Sequence, residues 1–255
     1  MDDVAGNGGT SSAAYEERWK ALSAQGEVPY SRTGDTTPML DSVIGYGRNS
    51  DLRVASLGAG RCVQEIEMAR NGIDVVCVES CPDTVAVARE SIRDELGEYP
   101  WRGSMGGIEV VESGIFDYIR QLRNGEHRAF YANSVLHTVR RPDRLKLLRE
   151  LHARLPGADL VYASFKSTQD DVFELSSPVE GDIKFDPIGE VRRDEFGIVR
   201  TFVSTPVYLT NEFAEAGFEV VNSWDWSVPG YDPSPEAGRE LVAHFFGVVA
   251  MKKTG

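Results

Sequence analysis

Cysteine, histidine and basic side chains are all scarce in this 255-residue chain. Its three cysteines, Cys62, Cys77 and Cys81, form no CxxC pair and leave an odd count. No His/Cys grouping has ligand spacing, so no metal is expected. Lys and Arg number 27 against 40 Asp and Glu, a formal charge of -13. That balance argues against a nucleic-acid or anionic-membrane partner, because no basic face exists in bulk. One local pair, Arg140-Arg141, reads either as a contact for a single phosphate or as a solvated pair. No apolar run approaches the roughly 20 residues needed to span a bilayer. The N-terminus is acidic and Gly/Ser-rich, unlike a signal or transit peptide. A soluble cytoplasmic protein, monomer or homodimer, is the expectation.

What is present suits one α/β domain with an inserted lid: the length supports a sizeable core, and 41% of residues are apolar. The chain is organised around Arg53-Val-Ala-Ser-Leu-Gly-Ala-Gly-Arg-Cys-Val63. Arg53 to Leu57 reads as a short strand, Gly58-Ala59-Gly60 as a tight turn, and Cys62 to Arg70 as a helix. Glycines between strand and helix let the backbone approach a ligand closely. A second strand, Val75-Val-Cys-Val78, runs into Glu79, a carboxylate roughly 20 residues past the glycines, where α/β folds hold ribose hydroxyls. The dinucleotide fingerprint wants a third glycine where Val63 stands. An adenosine-bearing ligand without a pyrophosphate fits better.

Along the chain, Met1–Ala13 reads as disordered, and residues 14–255 as one domain whose segment 14–47 is a helical cap. Tyr15–Gln25 is an amphipathic helix, followed by a turn-rich connector with Tyr30 and Arg32. Thr36-Thr-Pro38 is a capped helix start. Further helices are expected from Pro82 to about Leu96, Ile115 to Leu122, Pro142 to Arg154 and Pro206 to Ala216. Strands are expected at Ile108–Val111, Arg128–Asn133, Leu160–Phe165, Glu219–Trp226 and His244–Lys252. The rhythm predicts a Rossmann-like, doubly wound, mostly parallel seven-stranded sheet with helices on both faces and an antiparallel C-terminal edge. Segment 166–205 is an insertion with a hairpin over Val191–Phe202 turning at Glu195–Gly197. It leaves the sheet where ligands bind in open α/β folds, and is read as a lid, with packing on the domain as the alternative.

In the order and spacing of these motifs the chain resembles the class I S-adenosylmethionine-dependent methyltransferases, particularly small bacterial ones acting on small molecules. Val54-Ala-Ser-Leu-Gly-Ala-Gly60 looks like the family's first motif and Val76-Cys-Val-Glu79-Ser80 its second. Val110-Val-Glu-Ser-Gly-Ile115-Phe116-Asp117 sits where the adenine is usually read, and Tyr131-Ala-Asn-Ser-Val-Leu-His137 ends the fourth strand. The resemblance implies S-adenosylmethionine as cofactor and a small-molecule acceptor. The chain departs from the pattern at three places. Ser56 stands where the first motif usually starts with an acid, Cys62 replaces the third glycine, and Gly114 replaces an adenine-binding aspartate.

The resemblance assigns roles beside which plainer readings stand. Ile115 and Phe116 sandwich the adenine or belong to the core. Asn133 and Ser134 hold the methionine part or cap the following turn. His137 is a general base or a structural histidine. Tyr30 and Arg32 pack on the ligand or form a surface turn. Arg200 and Phe202, with Arg192 and Arg193, belong to the lid, and the arginines face an anionic group on the substrate or the methionine carboxylate. Two other functions remain open: an enzyme breaking another bond of the same cofactor, by aminocarboxypropyl transfer or cyclisation releasing methylthioadenosine, and a non-catalytic ligand-binding member.

Overall fold

The computed structural model describes residues 37–48, 51–97, 105–157, 159–179, 185–194, 197–231 and 241–253. The expected tail over Met1–Ala13, the helix over Tyr15–Gln25, the connector with Tyr30 and Arg32, and positions 195–196 of the hairpin turn lie outside the described residues.

Helix α1 (Pro38–Gly47) starts as its sequence predicts: Thr37 caps it, its hydroxyl accepting from Leu40 N at 3.1 Å, with Pro38 in the first turn. Strands and helices then alternate: β1 (Arg53–Leu57), α2 (Val63–Arg70), β2 (Asp74–Glu79), α3 (Pro82–Leu96), β3 (Ile108–Glu112), α4 (Ile115–Gln121), β4 (Ala129–Ala132), α5 (Arg141–Arg154) and β5 (Leu160–Lys166). A short 3-10 turn, Leu136–Thr138, lies between β4 and α5. The insertion holds α6 (Asp171–Leu175), β6 (Ser177–Pro178), β7 (Phe185–Asp186), β8 (Gly189–Arg193) and β9 (Val199–Val203). Helix α7 (Pro206–Glu215) leads to a final hairpin, β10 (Phe218–Tyr231) and β11 (Leu241–Lys252).

The central sheet has the order β10-β11-β5-β4-β1-β2-β3. Strands β1 to β5 run parallel, while β11 is antiparallel to both β5 and β10. Because β1 lies between β2 and β4, the strand order reverses between β1 and β4, the crevice where open α/β sheets bind ligands. The two-residue period of the strands divides the core. Ala55, Leu57, Phe130 and Ala132 pack with Ile119, Leu148, Leu151 and Phe213 on one face. Val54, Val75, Ala129 and Tyr131 pack with Met39, Ile66, Met68 and Ile92 on the other.

The insertion forms its own antiparallel sheet: β8 pairs with β6, β7 and β9. Its inner side, Val172 and Phe202, joins Leu241, Ala243 and Phe245 in a third apolar cluster. A backbone bond from Thr168 N to Val203 O at 3.0 Å closes the segment onto the end of β5. Among the described residues no helix is long and apolar enough to cross a membrane.

Candidate active site

At the carboxyl edge of the sheet the glycine turn is tied to β2. Gly58 N and Ala59 N both donate to Val78 O, at 2.8 and 3.1 Å. Gly60 N donates to Glu79 Oε2 at 3.1 Å, while Ser80 N and Cys81 N donate to Oε1 at 2.8 and 3.0 Å. Three backbone donors therefore fix a carboxylate that is only 8% exposed. Gly58 and Gly60 have φ of 68° and 57°, conformations that favour glycine. A Cβ on Gly60 would meet no atom within 4 Å, so that side of the turn is open to a ligand. Ser113 N donates to Glu79 O at 2.9 Å, bringing the turn before α4 to the same place. Ile115 and Phe116, in the first turn of α4, are half-buried and pack against the larger core cluster.

Two departures from the family pattern acquire a physical account. Ser56 is buried, and its hydroxyl donates to Glu65 Oε1 at 2.5 Å. A carboxyl group from α2 thus reaches the strand position that lacks one. Glu65 is 4% exposed, and burial, partly offset by the Ser56 bond, pushes its pKa up to about 7. This contact was not legible in the sequence, because Glu65 sits in a polar helical run, Gln64-Glu65-Ile66-Glu67. Cys62, where the pattern has its third glycine, takes a left-handed conformation that favours glycine, φ 61°, and its buried thiol donates to Gly60 O at 4.0 Å. Gly114, the third departure, is the N-cap of α4 at an ordinary φ of -67°.

The end of β4 is held by a polar network. Tyr131 Oη and Asn133 Nδ2 both donate to Gln64 Oε1, at 2.7 and 2.9 Å. Ser164 Oγ donates to Asn133 Oδ1 at 2.6 Å and accepts from Ser134 N at 2.8 Å. Ser134 is the other described non-glycine residue with positive φ, 57°. The following 3-10 turn has Val135 as its N-cap and no side-chain cap. Val135 overlies the glycine turn: a Cβ on Gly58 would come within 2.6 Å of Val135 Cγ2.

Two residues further on, His137 lines a cavity of about 460 Å³ between the 3-10 turn, the start of α5 and the insertion. Arg140, Arg141, Asp186, Arg200 and Thr201 also face it. His137 is 2% exposed, and its Nδ1 has no hydrogen-bond partner. Burial first, then the cations Arg200, Lys166 and Arg144, hold its pKa well below the usual histidine range. The ring is therefore neutral, and it takes up a second proton only where a ligand brings compensating negative charge. Arg200 lines the cavity and ion-pairs with Asp194. Phe202 is not on the cavity wall: it is buried edge-to-face against Phe173, centroids 5.4 Å apart. Arg192 also points elsewhere, donating to Ser176 O at 2.5 Å and stacking over Phe173 at 4.3 Å.

Behind the cavity lies Arg144, fully buried. Its guanidinium bonds both oxygens of Glu212, Asp186 Oδ2 at 2.8 Å and Val139 O at 2.7 Å. Asp186 also accepts from Thr201 Oγ1 at 3.2 Å and Ile188 N at 3.2 Å. This network joins α5, α7 and the insertion.

No protein-family model matches the chain, and no curated protein matches it by sequence. Solved structures do match. One is a 1,6-didemethyltoxoflavin-N1-methyltransferase from Burkholderia thailandensis, with its namesake substrate and S-adenosylhomocysteine bound. It is 15% identical with a TM-score of 0.66, over 100% of this chain and 94% of that one. A second is an S-adenosylmethionine-dependent methyltransferase from Methanosarcina mazei, 13% identical, TM-score 0.63, over 87% of this chain and 100% of that one. A third is a magnesium protoporphyrin IX methyltransferase from Synechocystis with bound S-adenosylhomocysteine, 13% identical, TM-score 0.54, over 95% and 96%. The chain therefore has the Rossmann-like α/β fold found in S-adenosylmethionine-dependent methyltransferases.

Proposed function

We propose that the chain is an S-adenosylmethionine-dependent methyltransferase acting on a small molecule. The observation that carries this reading is the bond from Gly60 N to Glu79 Oε2, which joins the glycine turn and the acid at the point where strand order reverses. Bound there, S-adenosylmethionine supplies a methyl group already activated by its sulfonium. The residues then have positional tasks. Glu79, immobilised by its three backbone donors, retains acceptor capacity for ribose hydroxyls. Ile115 and Phe116 offer a flat apolar surface to adenine. Asn133 and Ser134 set the end of β4 beside the methionine part, and the cavity beyond Val135 orients the acceptor. The same fold with bound S-adenosylhomocysteine in the Burkholderia and Synechocystis proteins supports the assignment.

Calorimetric titration with S-adenosylhomocysteine tests it. Glu79→Ala should weaken binding by about 1.5–3 kcal/mol, the range for hydrogen bonds to a charged group. Unchanged affinity would remove the ribose assignment. Product analysis tests the reaction: S-adenosylhomocysteine marks methyl transfer, whereas accumulation of methylthioadenosine would sink it.

A further inference from the structure

We propose that the small molecule held in the cavity carries an anionic group, a carboxylate or a phosphate, seated among Arg140, Arg141, Arg200 and His137. The methyltransferase reading is needed only to call that molecule the methyl acceptor; the anion site stands on its own geometry.

Charge is the first argument. The chain has 13 more acidic than basic side chains, yet the cavity wall carries three arginines and a single carboxylate, Asp186. That carboxylate is already committed to Arg144, Thr201 and Ile188 N. In so acidic a protein, a basic concave wall is a built feature, because a cleft focuses the field of its charges. Second, the wall includes the first residues of α5, a 14-residue helix whose N-cap, Arg140, supplies no side-chain cap. The positive end of the helix dipole adds to the arginines.

His137 adds a neutral ring to the same wall, with no charge that competes with the arginines for an anion. The existing ion pairs do not oppose this. Arg141 is held by Glu215 at 2.5 Å, with Glu212 3.7 Å away, and Arg200 by Asp194. A guanidinium has five N–H donors, so a carboxylate on one side fixes its orientation toward an anion on the other. Val139, Pro142, Pro187, Val191 and Val199 make an apolar part of the wall, beside the hydroxyls of Thr138 and Thr201. The ligand they suit has an apolar body with an acidic end, and a cavity of about 460 Å³ accommodates a molecule of drug-like size. Val135, which overlies Gly58, lies two residues before His137 on the cavity wall.

The test uses the full chain and three probes, benzoate, its uncharged isostere benzamide, and inorganic phosphate, titrated with and without S-adenosylhomocysteine. Benzoate or phosphate should bind, with benzamide weaker than benzoate by roughly tenfold or more if the acid is a carboxylate. Binding of phosphate alone assigns the site to phosphate esters. Arg200→Gln and Arg141→Gln should each weaken the bound anion by about tenfold. If Arg200→Gln does not fold, Arg141→Gln and the probe comparison on the parent decide. Equal binding of benzoate and benzamide without phosphate binding overturns the proposal, as does binding of none of the three. If S-adenosylhomocysteine fails to bind while the anion preference persists, the methyltransferase reading falls and the anion site remains.

Discussion

Replacing Arg144 by Met keeps most of the apolar stem and removes the charge. The guanidinium is fully buried and holds Glu212 through both oxygens and Asp186 at 2.8 Å, both carboxylates themselves buried. Arg144→Met leaves Asp186 without its cation and Glu212 with only Arg141, 3.7 Å away. Breaking a buried pair from one side costs about 3–5 kcal/mol. In a chain of this size each kcal/mol moves the melting midpoint by about 2–4 °C, so a fall of roughly 6–20 °C is expected. Loss of the 5.9 Å contact with the Phe165 ring adds to it. The double variant Arg144→Met/Glu212→Met should recover the Glu212 part of the loss, because apolar groups of similar volume often replace a buried ion pair at little cost, while Asp186 still lacks its cation. Thermal and urea unfolding of the parent, both single variants and the double variant close the cycle. The reasoning is refuted if Arg144→Met lies within about 1 kcal/mol of the parent. It also fails if the double variant is as unstable as the summed singles.

Three further outcomes are expected. Folded Glu65 keeps its proton up to about pH 7, whereas the unfolded chain releases it near the ordinary carboxyl value of 4.5. The folded state binds the extra proton between those values, so this contribution to stability is complete below pH 4.5 and is lost as pH rises through about 7. The loss is about 3 kcal/mol, and Glu65→Gln should flatten that part of the profile in denaturant titrations; an unaltered slope would dismiss the buried carboxyl as its source. At position 62 the usual order of Ala over Gly should invert. The left-handed backbone costs a non-glycine residue about 1–2 kcal/mol, so Cys62→Gly should unfold at higher urea than Cys62→Ala. Gly60→Val should abolish S-adenosylhomocysteine binding in calorimetry with the fold intact by circular dichroism, since its side chain projects into the open side of the turn; normal binding would mean that the turn faces no ligand.

Local patterns carried most of the fold. Period-two apolar runs, Pro38 after Thr37, and glycines between strand and helix located β1 to β5 and the start of α1. The final hairpin was legible because the sequence between its two apolar strands carries no helical pattern. Long-range pairing was not. Arg144 reads as one more charge in Arg140-Arg141-Pro-Asp-Arg144, and its partners lie 42 and 68 positions away. Glu65 needs the turn at Gly58–Gly60 to fold back before Ser56 becomes its neighbour. The insertion's small sheet contains two strands of two residues each, too short for any period to register. Its arginines were legible as a group, but nothing in the sequence tells that Arg200 reaches the cavity while Arg192, opposite it on the next strand, stacks on Phe173.

The division of labour between sheet and insertion has a consequence for how such a chain diversifies. The glycine turn and Glu79 belong to β1 and β2, whereas Val191, Val199 and Arg200 reach the cavity from an appended sheet. Substitutions at those three positions can reshape what the cavity accepts without disturbing a single bond of the turn. Asp186 and Thr201 are different, because each faces the cavity and also belongs to the Arg144 network. New specificities are thus cheaply reached along β8 and β9, and checked at the two positions where recognition and folding share a side chain.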